Sequence, residues 1–213
     1  MTIEKSKIIA NFAVLEGGDG SGTTTQLTLL AERLKSLNKP AFYSTFEPTD
    51  GQIGRLIRSA LKKEITVKPE TLAMLFAADR NEHLNGSDGI ISHLNRGELV
   101  ISDRYVLSSL VYQGIECGDE LPSILNSGFG IPEVTIFLDI NPEIAFTRMK
   151  ERSSLELYEY RDFQEKVQKK YKSLINKYQE NGARVETIDA GLSVQEVADQ
   201  VWSIISKMPI FKV

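Results

Sequence analysis

Cysteine is nearly absent from this chain of 213 residues. Cys117 stands alone, so no disulfide can form within the chain, and the composition suits a reducing, cytoplasmic setting. Long apolar runs are missing too. None approaches the ~18 residues that a membrane-spanning helix needs. The opening stretch, MTIEKSKIIANFAVLEGG, carries Glu4 before a short apolar run that ends in Glu16, which is too short and too acidic for a signal peptide or a span. Nor is there an excess of basic charge. The formal net charge of -4 argues against a broad grip on nucleic acid, although a local basic patch stays open. No repeat, low-complexity tract or Pro/Gly-rich linker divides the chain, so residues 1–213 are expected to form a single domain. His83 and His93 have no cysteine partners at metal-ligand spacing and carry no expected metal role. Nothing near Cys117, in ECGDE, suggests an activated thiolate.

What is present is an alternation of short β-rich runs with helical periodicity. IIANFAVL (8–15) reads as a buried strand, and Leu27, Leu30, Ala31, Leu34 and Leu37 then form one apolar helical stripe. AFYSTF (41–46) is the next strand, followed by a helix marked by Ile53, Leu56, Ile57, Ala60 and Leu61. Pro69 suits the first turn of a long helix through ETLAMLFAADRNEHL. ELVIS (98–102) and the almost wholly apolar VTIFLDI (134–140) are further strands. A helix opens at Pro142 and runs to about residue 152, and another is striped by Phe163, Val167, Leu174, Ile175 and Tyr178. RVETID gives a fifth strand, and a helix over about 193–206 closes the pattern. This order predicts an α/β fold, a five-stranded parallel sheet covered by helices on both faces, with ligands at the carboxyl ends of the strands.

One of those ends carries GGDGSGTTT (17–25). A glycine-rich loop between strand and helix aims several N–H groups and a helix dipole at one point, which favours phosphate. A plain structural turn is the alternative reading of the same residues. Gly17, Gly22 and Thr24 satisfy the pattern G-x-x-x-x-G-K-[ST], but Thr23 stands in the lysine position. Thr24 would bring its hydroxyl to the usual Mg²⁺ position. A threonine cannot replace a lysine's charge, and charge of this kind is worth roughly 10³–10⁵ in rate. Either another cation serves the phosphates or the chain is not an efficient catalyst.

Three further segments follow the loop in order: FEPTDGQIGRLIR (46–58), LFAADRNEHL (75–84) and SDRYVLSSLVYQG (102–114). Together with GGDGSG they resemble the thymidylate kinase family, over roughly residues 10–178. The resemblance implies a P-loop three-layer fold, Mg²⁺ as cofactor, ATP and dTMP as small-molecule substrates, and a homodimer. It implies that Gly17, Gly18, Asp19, Gly20, Ser21, Gly22, Thr23, Thr24 and Thr25 cradle the ATP phosphates. Phe76 would stack on thymine and Arg80 would hold its O4. Asp103 and Arg104 would serve the metal, with Thr24, and the acceptor phosphate. Ser108, Ser109, Tyr112 and Gln113 would face base and sugar, Asp19 would take the 3′-hydroxyl, and Glu47 and Arg58 would lie at the acceptor phosphate. Read from the residues alone, Phe76 could be core, Arg80 could pair with Glu82 or another acid, the serines could be helix-terminal polarity and Asp19 a turn former.

Two departures from the family pattern stand out. Thr23 is one. The other is Phe46, where many bacterial members carry an arginine before the acid, so Arg58, or Arg55, would carry more of that load. The family also places an extra catalytic arginine either within the glycine loop or in a lid. Gly20 occupies the loop position, which leaves a lid at about 148–161, where Arg148, Lys150, Arg152 and Arg161 are available and Glu159 resembles the lid acid. Arg104, Arg148 and Arg152 are the expected sources of transition-state charge, and a plain surface role for each lid arginine stays open. Two functions therefore stand: a dTMP kinase, or a nucleotide-binding homologue of weak or no activity that acts as a regulator. Another monophosphate or nucleoside as substrate fits Phe76, Arg80 and Tyr112 less well. No N-K-x-D segment points to a guanine-reading switch protein.

Overall fold

The computed structural model describes residues 7–37, 40–150, 157–158 and 160–212. Five strands, β1 (Ile8–Gly17), β2 (Phe42–Phe46), β3 (Leu99–Asp103), β4 (Ile131–Asp139) and β5 (Val185–Asp189), make one parallel sheet in the order β2-β3-β1-β4-β5. The chain runs from β1 outward to β2, returns to β3, then crosses β1 to reach β4. Such a reversal opens a crevice at the carboxyl end of the central strand. Register brings the strand ends level there, with Leu15 opposite Asp103 and Phe46 opposite the same residue on the other side.

Alternation along β1 decides what each face buries. Ala13 and Leu15 point into a core with Leu27, Leu30 and Leu34 of α1 (Thr23–Leu37) and Val197 and Val201 of α9 (Val194–Ile205). Phe12 and Val14 point the other way, toward Tyr105 and Leu110. On that second face lie α5 (Val106–Glu116) and α8 (Arg161–Glu180), with Phe137, Val167 and Tyr171 packed beside them. Each fully buried leucine or phenylalanine in these layers contributes about 1.5–3 kcal/mol. Glu16 keeps the register of Phe12 and Val14 and is carried inside, 1% exposed.

The expected strands and long helices are all present, including α2 (Gln52–Leu61), α3 (Pro69–Asn85) with Pro69 in its first turn, and α7 (Pro142–Lys150). Two short helices, α4 (Ile90–Asn95) and α6 (Glu120–Asn126), were not anticipated. At six and seven residues they are too brief to show a 3.6-residue period. β4 also starts three residues before the apolar run that announces it. Ile131 and Pro132 pair with Ile8 and Ile9, and the register then shifts before Ala13. Ala10, Asn11 and Phe12 thus stand against Glu133 alone, two residues in excess, and Asn11, at φ 59°, donates its N–H to the Glu133 carboxylate (2.7 Å).

Candidate active site

The loop after β1 meets α1 at the crevice. Gly20 and Gly22 adopt φ values of +80° and +94°, which side chains rarely accept. A Cβ on Gly20 would lie 2.7 Å from the Ala145 carbonyl oxygen. An arginine at that position has no room unless α7 moves. Residues 18–26 line a groove of about 330 Å³ together with Arg104, Arg148, Leu192 and Val194. Thr23 is among them but buried, 5% exposed, at the start of α1. Arg148 is exposed on α7, and its Nη1 lies 3.5 Å from the Gly20 carbonyl oxygen.

Across the loop stands the end of β3. Thr24 donates its hydroxyl to Asp103 Oδ2 (2.6 Å), while Asp103 Oδ1 is buried with no hydrogen-bond partner among the described residues. A hydroxyl beside an orphaned carboxylate oxygen is a hard-oxygen donor set that fits Mg²⁺, directly or through water. No group of three or more His, Cys, Asp or Glu capable of holding a metal occurs among the described residues.

Arg104 joins the two halves of the site. Its Nη1 donates to the Gly17 carbonyl (3.0 Å) and to Ser108 Oγ (3.2 Å), and its Nη2 to Asp19 Oδ1 (2.6 Å). The guanidinium also lies over the Tyr112 ring, 5.2 Å from its centre. Arg104 and Asp19 face the loop groove and a second cavity alike.

That second cavity, about 180 Å³, is lined by Asp19, Glu47, Phe76, Arg80, Arg104, Ser108, Ser109, Tyr112 and Gln113, with Tyr105 and Tyr158. Phe76 is half-buried rather than core. Arg80 is 1% exposed and does pair with an acid, Glu47 rather than Glu82. Its Nε and Nη2 both donate to Glu47 Oε2 (2.9 and 2.6 Å). Nη2 also reaches the Tyr105 carbonyl and Ser109, and Nη1 donates to Asn126. One Nη1 hydrogen of Arg80 and the buried Gln113 Oε1 have no hydrogen-bond partner among the described residues, and both side chains line the cavity.

Arg58 is not in that lining. Its Nη2 donates to the Pro48 carbonyl, and its guanidinium lies 5.4 Å from the centre of the Phe46 ring. Arg161 is engaged by Glu143 (2.7 Å) and Glu165 (3.6 Å). Arg152 and Glu159 lie outside the described residues, as does half of the expected lid.

Several supporting residues were assigned no role in the site from the sequence. His83 shares Glu47, with Nδ1 3.1 Å from Oε1, and its Nε2 sits 2.6 Å from the Thr45 hydroxyl. Asp79 accepts from both the N–H and the hydroxyl of Thr49 (2.7 Å each), which pins the turn after Glu47. Gln164 of α8 clamps Asp19 from two sides, accepting its N–H (3.1 Å) and donating to Oδ2 (2.9 Å). Glu16 lies beneath Arg104 and Ser108. Burial pushes its carboxyl up to about 7, against the pull of Ser108, Arg104 and Tyr171.

Comparison with known proteins places this geometry in context. The family model described as thymidylate kinase matches residues 15–201. The "Probable thymidylate kinase" of Pyrobaculum aerophilum is 40% identical over 202 residues, covering 94% of this chain and 99% of the relative. The protein of the same name from Methanococcus aeolicus is 44% identical over 166 residues, 78% of this chain and 79% of the relative.

Proposed function

The chain belongs to the thymidylate kinase family, and from that premise we propose that it transfers the γ-phosphoryl group of ATP to dTMP, giving dTDP and ADP. One observation supports this above the rest: a base-sized cavity and a phosphate-loop groove share a single pair of walls, Asp19 and Arg104. A donor and an acceptor phosphate held on either side of Arg104 would be in position for in-line transfer.

In this reading thymine stacks on Phe76 and gives its O4 to the remaining Nη1 hydrogen of Arg80. Asp19, held rigidly by Gln164 and Arg104, accepts the sugar 3′-hydroxyl, and Tyr112 fills the space a 2′-hydroxyl would need. An oxygen of the dTMP phosphate attacks the γ-phosphorus while the bond to the β–γ bridging oxygen breaks, and ADP leaves with that oxygen. The loop N–H groups hold the β-phosphate, and Arg104 and Arg148 neutralise the charge that spreads over the transferring group. Thr24 and Asp103 would hold Mg²⁺, which when bound screens the negative charge of the phosphates. Arg58, above Phe46, lies beyond the cavity wall and reaches the acceptor phosphate only by leaving the Pro48 carbonyl. We read the chain as one domain with a lid at about 148–161, acting in the cytoplasm as a homodimer. Exposed Leu56 and Met74 on the paired helices α2 and α3 offer an apolar face for a second copy.

The buried Thr23 supports a second reading, in which the protein binds nucleotide as a regulator with little turnover. A coupled ADP-release assay with ATP, Mg²⁺ and dTMP, on the protein and on Thr23→Lys, separates the two. Turnover in the unmodified protein, lost on Arg148→Ala, supports the kinase with its charge supplied from α7. Negligible turnover restored by Thr23→Lys means that the loop change alone silenced the site. Binding of dTMP without turnover in either protein favours the regulator.

A further inference from the structure

Glu16 is buried beneath the site, and its carboxylate is fully occupied. Oε1 accepts the N–H groups of Tyr105 (2.9 Å) and Ser108 (3.3 Å). Oε2 accepts the hydroxyls of Ser108 (2.6 Å) and Tyr171 (2.9 Å). These donors come from the β3–α5 turn, the first turn of α5 and the middle of α8. They converge on one strand end because β1 carries Glu16 to that face. The next link is Arg104, whose Nη1 rests on the same Ser108 Oγ. Arg104 also has φ 73°, a left-handed conformation that a residue with a side chain keeps only when its surroundings impose it. The imposing contacts are visible on both sides of it: its own N–H is held by the Leu15 carbonyl (2.8 Å), and the next N–H, that of Tyr105, by Glu16.

We propose that Glu16 is a positioning residue that fixes Arg104 between the two phosphate sites, through Ser108 and, by holding the Tyr105 N–H, through the left-handed turn at Arg104 itself. This rests on the reading that Arg104 serves phosphoryl transfer. The ionised carboxylate is the form that fits four donors, because it accepts only. Protonation would turn Oε2 into a donor to Ser108 Oγ. The Ser108 hydroxyl would then turn to Tyr171 Oη, 2.9 Å away, and the Tyr171 hydroxyl to the Gly17 carbonyl at 3.4 Å, the oxygen that Arg104 already uses. Arg104 would lose part of its seat at both anchors. The charged and titratable groups facing Glu16 are Arg104 from the turn and Tyr171 and Tyr178 from α8, with Asp19 beyond Arg104. Glu16, at about 7, is positioned to change charge near neutrality.

The test is the pH dependence of kcat and of both KM values in the unmodified protein, in Glu16→Gln and in Glu16→Asp. Glutamine at this position donates to Ser108 and Tyr171, so it mimics the protonated acid at every pH. We expect the unmodified protein to lose kcat as pH falls through about 7, and Glu16→Gln to show one low plateau. At alkaline pH that plateau should lie about 10- to 100-fold below the unmodified protein, with KM for ATP changed by less than about threefold. Glu16→Asp should recover part of kcat and keep an inflection. Equal kcat in Glu16→Gln at alkaline pH, or an inflection near neutrality that survives in it, overturns the proposal. If Glu16→Gln does not fold, Ser108→Ala cuts the same link and should lose kcat and the inflection together; retention of both overturns it. If the unmodified protein shows no turnover at any pH, it is the kinase reading that fails. Calorimetric dTMP affinity then carries the test, because Arg104 braces Asp19 in either case. Affinity should fall on the acid side in the unmodified protein and stay level in Glu16→Gln, and parallel pH dependences overturn it.

Discussion

At the scale of single residues, the cavity lined by Phe76 and Arg80 depends on a buried charge pair. Arg80 and Glu47 are 1% and 6% exposed, and the arginine also donates to Asn126, Ser109 and the Tyr105 carbonyl. Removing one partner of such a pair leaves the other uncompensated in a dry site, at a cost of about 3–5 kcal/mol. Arg80→Met should therefore lower unfolding stability in urea by that amount and weaken dTMP binding together. Glu47→Gln, which keeps the shape and two hydrogen-bonding atoms, should cost less. Gly20 sets a different constraint. With φ at +80° and the Ala145 carbonyl 2.7 Å from any added Cβ, Gly20→Arg should destabilise the fold by about 1–3 kcal/mol. It should also fail to supply the catalytic charge that an arginine-bearing loop would provide. Thermal melts and the ADP-release assay on that variant check both halves of the statement.

At the scale of elements, α9 is anchored by a reciprocal cap. Ser193 Oγ accepts the Glu196 N–H (3.3 Å) while Glu196 accepts from the Ser193 N–H (3.0 Å). Ser193→Ala should cost about 1 kcal/mol of stability and leave kcat unchanged, since neither Ser193 nor Glu196 lines either site cavity. Denaturant titration beside the kinetic assay tests it. This element also shows what a sequence makes plain: Ser193 and Glu196 bracket an apolar stripe, so helix start and face are both written locally. The same holds for the long helices and five strands, and for the loop, whose glycines and flanking periods all lie between Ile8 and Leu37. α4 and α6 were missed because six or seven residues hold less than two helical turns. Phe76, Arg80, Arg104, Ser108, Ser109, Tyr112 and Gln113 were legible through motif resemblance, and they line the cavity together. Glu16, His83 and Gln164 were not, because each works through partners brought by topology. Gln164 meets Asp19 across 145 residues and Tyr171 meets Glu16 across 155, and no local period records such pairs.

At the scale of the whole molecule, the buried acid links site organisation to stability. Glu16 ionises at about 7 in the folded protein and near 4.5 when exposed. A carboxyl whose pKa is raised by folding stabilises the fold while both states are protonated, below about 4.5. That contribution declines as pH rises through about 7, where the folded protein must carry a buried charge. Across the window the loss amounts to about 3 kcal/mol. Glu98 and Glu196, whose carboxyls are held below their usual range by Arg96 and by Ser193 respectively, act in the opposite sense, but they do so identically in a Glu16 variant. The difference between two proteins therefore isolates Glu16. Urea unfolding of the unmodified protein and of Glu16→Gln, compared at pH about 4.5 and about 8, should show the variant gaining roughly 3 kcal/mol relative to the parent on the alkaline side. A pH-independent difference would mean that Glu16 keeps an ordinary carboxylate pKa inside the fold. The form of Glu16 that seats Arg104 is thus the form that costs the fold most. The four donors gathered on its carboxylate offset only part of that cost, and such a tension is expected where a residue is kept for geometry rather than for stability.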